Sequence, residues 1–236
     1  MPLPGPAKAR PYGAVEHEAH IALRAWGLLA LDAPETFGGR LADLIMDGFP
    51  THTVSQAGRV VSTDSTSRWR WLIGDVEGGR AQSAALQHEG VTQVAAVVDA
   101  ATSSVITARR SDGIYLDPPG RRVVFERADE AAPLRLFLKM AVDGRSPELL
   151  TLLAQIRTGA PMTTRIMGSA AIALAEAALA GGTFVGLGLR SWQFAAGVLF
   201  AEEAGLVVRS WSDAGGVMVV AAPSAQMDVI AAALSR

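Results

Sequence analysis

Cysteine is absent from this chain of 236 residues, and so are long basic runs. Each absence excludes a class of function. Without cysteine the protein has no disulfides, no thiolate metal ligands and no thiol nucleophile, which suits a cytoplasmic location. The net charge is −2, and no long basic run or interleaving of basic with aromatic residues occurs. Nucleic acid is therefore not an expected partner, whereas a small molecule or another protein is.

The chain also lacks the continuous apolar segment of a signal peptide or a membrane helix. Residues 1–13 contain several prolines and predict a disordered arm. The apolar stretch 168–189 includes Glu176 and several glycines, so we expect a buried helix followed by a strand there, and no membrane contact. With 50% hydrophobic residues and a mean hydropathy of +0.26, the chain can bury a substantial core.

Hydrophobic spacing predicts two successive mixed halves, 14–130 and 131–236, in a single compact unit with the site between them. Helical spacing covers 14–31 and 34–47, with Pro34 in a first helical turn and Asp32 as its cap. A meander of antiparallel strands follows, and helices alternate with strands in the second half, which predicts a layered α/β sandwich. The expected strands are 51–55, 69–73, 82–88, 92–99, 104–109, 113–116, 121–126, 133–142, 183–187, 206–211 and 217–221, and the later helices are 147–156, 169–180, 192–204 and 224–234.

The segment 71–80, WLIGDVEGGR, is the first candidate site. A β-type run ends at Gly74 and is followed by two carboxylates, Asp75 and Glu77. Strand ends that carry acids and glycines often form binding sites, because glycine allows turns and close ligand approach. We therefore expect Gly78 and Gly79 to contact a ligand.

Four segments in order resemble the inositol monophosphatase family. FPTHTVSQAG resembles its F-P-x-H-x-x-x-G-E-E motif, and WLIGDVEGG resembles W-I-I-D-P-I-D-G-T. Residues 94–117 resemble its hairpin region, and 168–208 resemble its G-S-A-A, W-D-x-A-A-G and E-A-G-G signature. The resemblance covers the chain from about residue 14 onward and implies an αβαβα sandwich and a homodimer.

The resemblance also implies where magnesium ligands would lie, and there the sequence departs from the family. The Glu-Glu pair falls on Ala57 and Gly58, and the first Asp of the second motif falls on Gly74. The Asp of W-D-x-A-A-G falls on Gln193, and Glu77 replaces the second Asp. Because Mg²⁺ needs a shell of hard oxygen ligands, we expect no metal cofactor. A weak magnesium site would require Asp32, Asp75 and Glu77 together. Asp32 matches the aspartate of the family's T-x-x-D motif and is also a candidate for substrate binding.

Without metal, Asp75 and Glu77 are predicted to act as general acid and base. Two carboxylates in a partly dry cleft can differ in pKa, so that one is neutral while the other is charged. Their i, i+2 spacing places both on one side of an extended strand. The alternative interpretation is a solvated turn whose acids pair with Arg68 or Arg80.

The second half contributes the remaining candidates for substrate binding. Trp192 and Gln193 are expected to begin a helix whose N-terminus favours an anion, and Gln193 is alternatively a capping residue. Arg165 and Arg190 are candidates for gripping an anion, or else form surface ion pairs. Ser169, in the G-S-A-A match, is included in the pocket, although it lacks the glycine elbow of a serine nucleophile.

The histidines give weaker signals. His17 and His20, in HEAH, lack a third ligand and the HExxH spacing of a metal site. His52 matches a family position outside the metal shell, so a structural role is expected.

Three functions remain open at this point. The leading hypothesis is a repurposed family member that acts on a small polar or anionic metabolite without metal, and the Ala-, Gly- and Arg-rich composition suits specialised biosynthesis in a high-GC bacterium. The second is a non-catalytic binding or subunit protein. The third is residual Mg²⁺-dependent phosphate monoesterase activity.

Overall fold

The structure is a computed structural model that describes residues 13–32, 34–62, 66–74, 81–117, 121–123, 134–139, 162–213 and 215–234. Two helices followed by a run of strands form the first part of the described chain, and helices are interspersed with strands in the second part, as the hydrophobic spacing predicts. The helices are α1 (Ala14–Asp32), α2 (Pro34–Gly48), α3 (Ala170–Ala180), α4 (Ser191–Glu203) and α5 (Ser224–Leu234). The strands are β1 (Thr53–Gln56), β2 (Arg59–Ser62), β3 (Trp69–Ile73), β4 (Ala81–His88), β5 (Val91–Asp99), β6 (Ser104–Arg109), β7 (Gly113–Asp117), β8 (Arg121–Arg122), β9 (Leu134–Lys139), β10 (Met162–Met167), β11 (Thr183–Leu189), β12 (Val207–Asp213) and β13 (Gly216–Ala222).

The described strands form two sheets. The first has eight strands in the order β2-β1-β3-β4-β5-β6-β7-β8. From β3 to β8 consecutive strands pair antiparallel, which confirms the predicted meander, while β1 pairs parallel to β3. The second sheet has five strands in the order β10-β9-β11-β13-β12. Its pairings are mixed, because β9 lies parallel to both β10 and β11.

Helices cover both faces of the first sheet and complete an αβαβα sandwich. In α1 the buried residues Ala19, Leu23 and Ala30 recur at helical spacing, and this face packs on the sheet together with α2. On the opposite face α3 and α4 pack between the two sheets, and α5 covers the outer face of the second. The predicted fold class is therefore confirmed, and the double cover explains why Ala81 to Leu86 are all buried.

Several predicted boundaries are wrong or incomplete. The link after residue 58 contains β2, because Ala57 and Gly58 form a two-residue turn with φ of 45° and 80°, which suits an antiparallel hairpin. Residues 162–167 form β10, which the sequence analysis missed because its residues are mostly exposed and lack apolar alternation. Asp32 ends α1 rather than capping α2, since the buried face of α1 continues through Ala30.

Other predictions fall partly outside the described residues. The predicted strand 121–126 is paired at Arg121 and Arg122, and its remainder from residue 124 is not described. The arm 1–13, apart from its last residue, and the helix predicted at 147–156 also lie outside the description. No helix in the described part of the chain is long and apolar enough to cross a membrane.

Candidate functional site

The candidate site lies where three chain segments meet: the end of β3, the turn between β1 and β2, and the beginning of α4. Parallel pairing of β1 with β3 places Gln56 opposite Ile73. The N–H of Ala57 donates to the carbonyl of Ile73 at 3.0 Å, so the Ala57–Gly58 turn is fixed beside the end of β3. Long-range strand pairing thus brings together the two positions where the family resemblance expects metal ligands.

Gly74 is buried and leaves no space for a side chain. Its N–H donates to the carbonyl of Ser83 at 2.8 Å, which joins the end of β3 to β4. A Cβ atom on Gly74 would lie 2.4 Å from the Ser83 hydroxyl oxygen and 3.3 Å from the Trp192 carbonyl oxygen. Because Ser83 is itself buried, a side chain at position 74 requires that this hydroxyl move.

The Trp192 ring contacts Gly58 in a similar way. A Cβ atom on Gly58 would lie 2.6 Å from Cζ3 and 2.7 Å from Cη2 of the indole. The φ of Gly58 is +80°, a left-handed conformation that favours glycine. Trp192 is half-buried and also packs on the core that α3 and α4 share with the first sheet. The indole therefore occupies the side-chain space of Gly58.

Gln193 and Arg190 form a local turn at the beginning of α4. The backbone N–H of Arg190 donates to the Gln193 side-chain oxygen at 2.8 Å, and the N–H of Gln193 donates to the Arg190 carbonyl at 2.9 Å. This is the capping arrangement, given above as the alternative interpretation of Gln193. Arg190 is exposed at the N-cap position. The helix start therefore presents a neutral amide and a nearby guanidinium.

Arg165 and Ser169 are engaged close to their own elements. Arg165, on β10, pairs with Glu176 of α3, and its guanidinium carbon lies 5.8 Å from the centre of the Phe137 ring. The Ser169 hydroxyl accepts a hydrogen bond from the N–H of Ile172 at 3.4 Å and caps α3. These contacts give both residues structural roles, and their part in ligand binding stays a prediction.

The residues predicted to carry the chemistry are not described by the structure. Asp75, Glu77, Gly78 and Gly79 lie outside the described ranges, as does the side chain of Asp32. Their catalytic and binding roles stay predictions. Arg68, the alternative partner for these acids, pairs with Glu89 at 3.2 Å, and its pairing with the acids stays a prediction.

The described residues do not fit a magnesium cluster. At the positions that match family ligands they provide Ala57, Gly58, Gly74 and Gln193, none of which has a carboxylate. No group of three or more His, Asp or Glu side chains within the described ranges could hold a metal ion. An amide oxygen at Gln193 is a poor replacement for the several charged oxygen ligands that Mg²⁺ prefers.

Ser83 is the residue at this site that the sequence analysis missed. It lies within an apolar strand, and no motif marks it. Only the antiparallel register, in which β4 returns alongside β3, brings its hydroxyl to Gly74.

His52 is structural, as expected, and is buried beneath the tryptophans of β3. Its Nδ1 accepts a hydrogen bond from the Trp71 indole N–H at 3.1 Å. Its ring stacks between Phe49 and Trp69, with centroid distances of 5.1 and 5.8 Å. Burial lowers the pKa of His52 below its usual value, so the ring is a neutral acceptor.

A second polar cluster, also missed, joins α1 to β6 and β7. His20 Nε2 lies 3.0 Å from the Thr107 hydroxyl, and both residues are buried. Arg24 donates two hydrogen bonds of 2.8 Å to Asp117, also buried. Burial, together with the positive charges of Arg109 and Arg24, lowers the pKa of His20 to about 4.

The outer part of this cluster is centred on Asp112. Its carboxylate accepts hydrogen bonds from the Tyr115 hydroxyl at 2.8 Å and from Arg109 at 2.7 Å. Burial alone would raise the pKa of Asp112, but the Tyr115 hydrogen bond and the Arg109 charge outweigh it and lower the pKa. These contacts lie within the β6–β7 hairpin, and Arg109 also reaches α1, where its Nη1 lies 3.2 Å from His17 Nδ1.

Comparison with known proteins places this geometry in a family. No protein-family model matches the chain. Nus factor SuhB of Salmonella typhimurium is 30% identical over 178 residues, which cover 70% of this chain and 65% of that protein. The chain therefore spans about 65% of the length of the curated relatives it matches. Among solved structures, Mycobacterium tuberculosis SuhB is 27% identical, with a TM-score of 0.69 and coverage of 93% of this chain and 91% of that one.

The fold itself has a further match in inositol monophosphatase from Anabaena. That structure is 22% identical, with a TM-score of 0.72 and 94% of both chains covered. The layering defines the class, a five-layered α/β sandwich. Within that class, the similarity to SuhB proteins and to inositol monophosphatases supports divergent membership of the inositol monophosphatase family.

Proposed function

We propose that the protein binds a small anionic metabolite without divalent metal ions, at the positions that match the phosphatase site of the family. One observation carries the proposal: the Ser83 hydroxyl and the Trp192 ring occupy the side-chain space at Gly74 and Gly58. A carboxylate cannot be placed at either position in this backbone without moving these groups. Binding then depends on hydrogen-bond donors and positive charge rather than on Mg²⁺.

The beginning of α4 supports an anionic ligand. Helix N-termini favour negative charge, because their first N–H groups have no partner within the helix and lie at the positive end of the helix dipole. Gln193 stands where the family has Asp, so no carboxylate at this position repels an anion. Arg190 is exposed beside it and supplies the planar donor set that grips phosphate or carboxylate groups.

Any chemistry in this proposal comes from Asp75 and Glu77. Gly74 is fixed by its hydrogen bond to Ser83, and its missing side chain would lie 3.3 Å from the Trp192 carbonyl oxygen. The chain therefore enters the segment 75–80 beside the start of α4. In this proposal Asp75 and Glu77, which follow Gly74 in the chain, give and take protons on one bound metabolite.

Calorimetry and a phosphate-release assay test the metal-free proposal together. Inositol monophosphate is titrated into the protein with EDTA and then with MgCl₂, and free phosphate is measured in both. We expect ligand binding that EDTA does not change, and no Mg²⁺-dependent phosphate release. Magnesium binding together with EDTA-sensitive release would instead establish the residual phosphatase, with Asp32, Asp75 and Glu77 as its ligands.

The acid–base role needs its own variants. Asp75→Asn and Glu77→Gln remove the ionisable groups while keeping the side-chain size, and Asp43→Asn on the exposed face of α2 is the matched control. Turnover of a metabolite found by thermal-shift screening should fall by at least about 100-fold in the first two variants, the range typical of acid–base groups. Unchanged turnover in both would remove these residues from the mechanism.

A protein partner is the second candidate, because the Salmonella relative is named as a Nus factor and not by a reaction. A binding protein would use the same scaffold without turnover. Thermal-shift screening against metabolites and against purified partner proteins separates the two, since a ligand of the native state raises its stability.

A further inference from the structure

Glu203, the last residue of α4, binds the turn between β6 and β7. One carboxylate oxygen accepts from the backbone N–H of Ser111 at 2.7 Å, and the other accepts from that of Gly113 at 2.8 Å. Ser111 and Gly113 have φ of +62° and +95°. Left-handed residues in a turn direct nearby N–H groups toward an anion. The turn is thus a concave seat for this single carboxylate.

The position of Glu203 is unfavourable for the helix by itself. A helix C-terminus carries partial negative charge, which repels carboxylates in the last turn. The last turn of α4 contains Glu202 and Glu203 and no basic residue. Contacts with the first sheet compensate, because Arg110 pairs with Glu202 at 2.6 Å and the β6–β7 turn binds Glu203. The sheet, not helix propensity, holds this end.

The opposite end of α4 carries Trp192. At 1.5 Å per residue, Trp192 and Glu203 lie about 16 Å apart along the helix axis. Between them α4 is buried against α3 and the first sheet, and a Cβ atom on Gly197 would lie 2.5 Å from Cβ of Leu174. A short helix packed this closely moves as a rigid body, so a displacement at one end reaches the other.

We propose that Glu203 is a positioning residue for the ligand site. Its seat in the β6–β7 turn sets the axial position and rotation of α4, and through them the placement of the Trp192 ring against Gly58. The inference rests on the proposed function, because it assigns Trp192 to the ligand site. Glu203 itself does not touch the ligand.

Fluorine NMR of the protein labelled with 5-fluorotryptophan tests the positioning. The chain has five tryptophans, and Trp192→Phe assigns the signal of interest. We expect this signal to shift in Glu203→Gln and to shift further in Glu203→Ala, while the signals of Trp69 and Trp71 stay in place. Glu202→Gln, which keeps both turn contacts but loses the charge that pairs with Arg110, is the matched comparison and should shift the Trp192 signal less than Glu203→Gln does.

An unmoved Trp192 signal in Glu203→Ala would overturn the proposal, and so would equal shifts of all the tryptophan signals, which indicate general loosening. If Glu203→Ala does not fold, Glu203→Gln decides by the same criterion. The milder variant keeps one oxygen acceptor for the turn.

A titration with inorganic phosphate separates this inference from the proposed function. We expect phosphate to move the Trp192 signal in the wild-type protein, with several-fold weaker affinity in Glu203→Gln. If phosphate does not shift the Trp192 signal of the wild-type protein, the proposed site is refuted. The shift of that signal in the ligand-free Glu203 variants would still support the positioning role. A signal that responds to phosphate equally in both proteins refutes the positioning role alone.

Discussion

At Gly74 and Gly58, neighbouring atoms leave no room for a side chain. The Ser83 hydroxyl stands 2.4 Å from where a Cβ of Gly74 would lie, and the Trp192 ring stands 2.6 Å from that of Gly58. Both contacts are far shorter than carbon–oxygen or carbon–carbon packing distances. At both positions, therefore, neighbouring atoms fill the space in which a side chain would lie.

The Ser83 contact can be tested by a double-mutant cycle. Gly74→Ala should lower the free energy of unfolding by about 1–2 kcal/mol, because the new methyl group collides with the Ser83 hydroxyl. Adding Ser83→Ala removes the colliding oxygen and should recover most of the loss. Urea unfolding of both single variants and the double variant measures the coupling. Equal costs of Gly74→Ala in the two backgrounds would mean that Ser83 does not restrict this position.

Protonation of His20 should make the protein less stable in acid. Its pKa is about 4 in the folded protein and near 6.5 unfolded, so the unfolded chain binds the proton more strongly. The stabilisation is fully present above pH 6.5 and is lost as the pH falls toward 4. After allowance for solvent screening, the loss should be about 2 kcal/mol. The lowered pKa of His52 acts in the same direction.

Urea unfolding between pH 7 and pH 4.5 measures the contribution of His20. His20→Gln keeps a hydrogen-bonding side chain for Thr107 but does not titrate, so its stability should fall less steeply with acid than that of the wild type. His88→Gln is the control histidine variant. Parallel pH curves for His20→Gln and the wild type would show that His20 does not contribute.

At the scale of elements, the close crossing of α3 and α4 is the contact that fixes the middle layer. Gly197 faces Leu174 at the crossing, and its Cβ would lie 2.5 Å from that of Leu174. Gly197→Ala should therefore destabilise the protein by about 1–3 kcal/mol, although alanine favours helix formation. Gly168→Ala has open space around it and should be nearly neutral. Chemical denaturation measures the free energy of unfolding of both variants. A Gly197→Ala variant that is more stable than the wild type would show that α3 and α4 can move apart.

Sequence patterns predicted most elements because burial alternates with the period of each structure. The helices α3 and α5 and the strands β4 to β7 lie within a residue or two of their predicted bounds. The strands β2 and β10 were missed for the same reason. β2 and β10 are short edge strands with exposed residues, so their pairing partners, not their own periodicity, make them strands.

At the scale of the whole molecule, the middle helices connect the two sheets. Residues of α3 and α4 belong both to the core against the first sheet and to the core against the second. We therefore predict a single cooperative transition in scanning calorimetry, in agreement with the expectation of one compact unit. Gly197→Ala should shift this transition as a whole. Two separate transitions would show that the halves unfold independently.

Most of the helices and strands, the layered fold and the family resemblance follow from the sequence alone, because periodicity and motif order are properties of consecutive residues. The sequence also located the candidate positions Gly58, Gly74 and Gln193 through their motifs. The atoms that fill the space beside them are set by the tertiary structure. Ser83, Trp192 and the seat of Glu203 reach their partners through strand register and helix packing, which depend on residues distant in the chain.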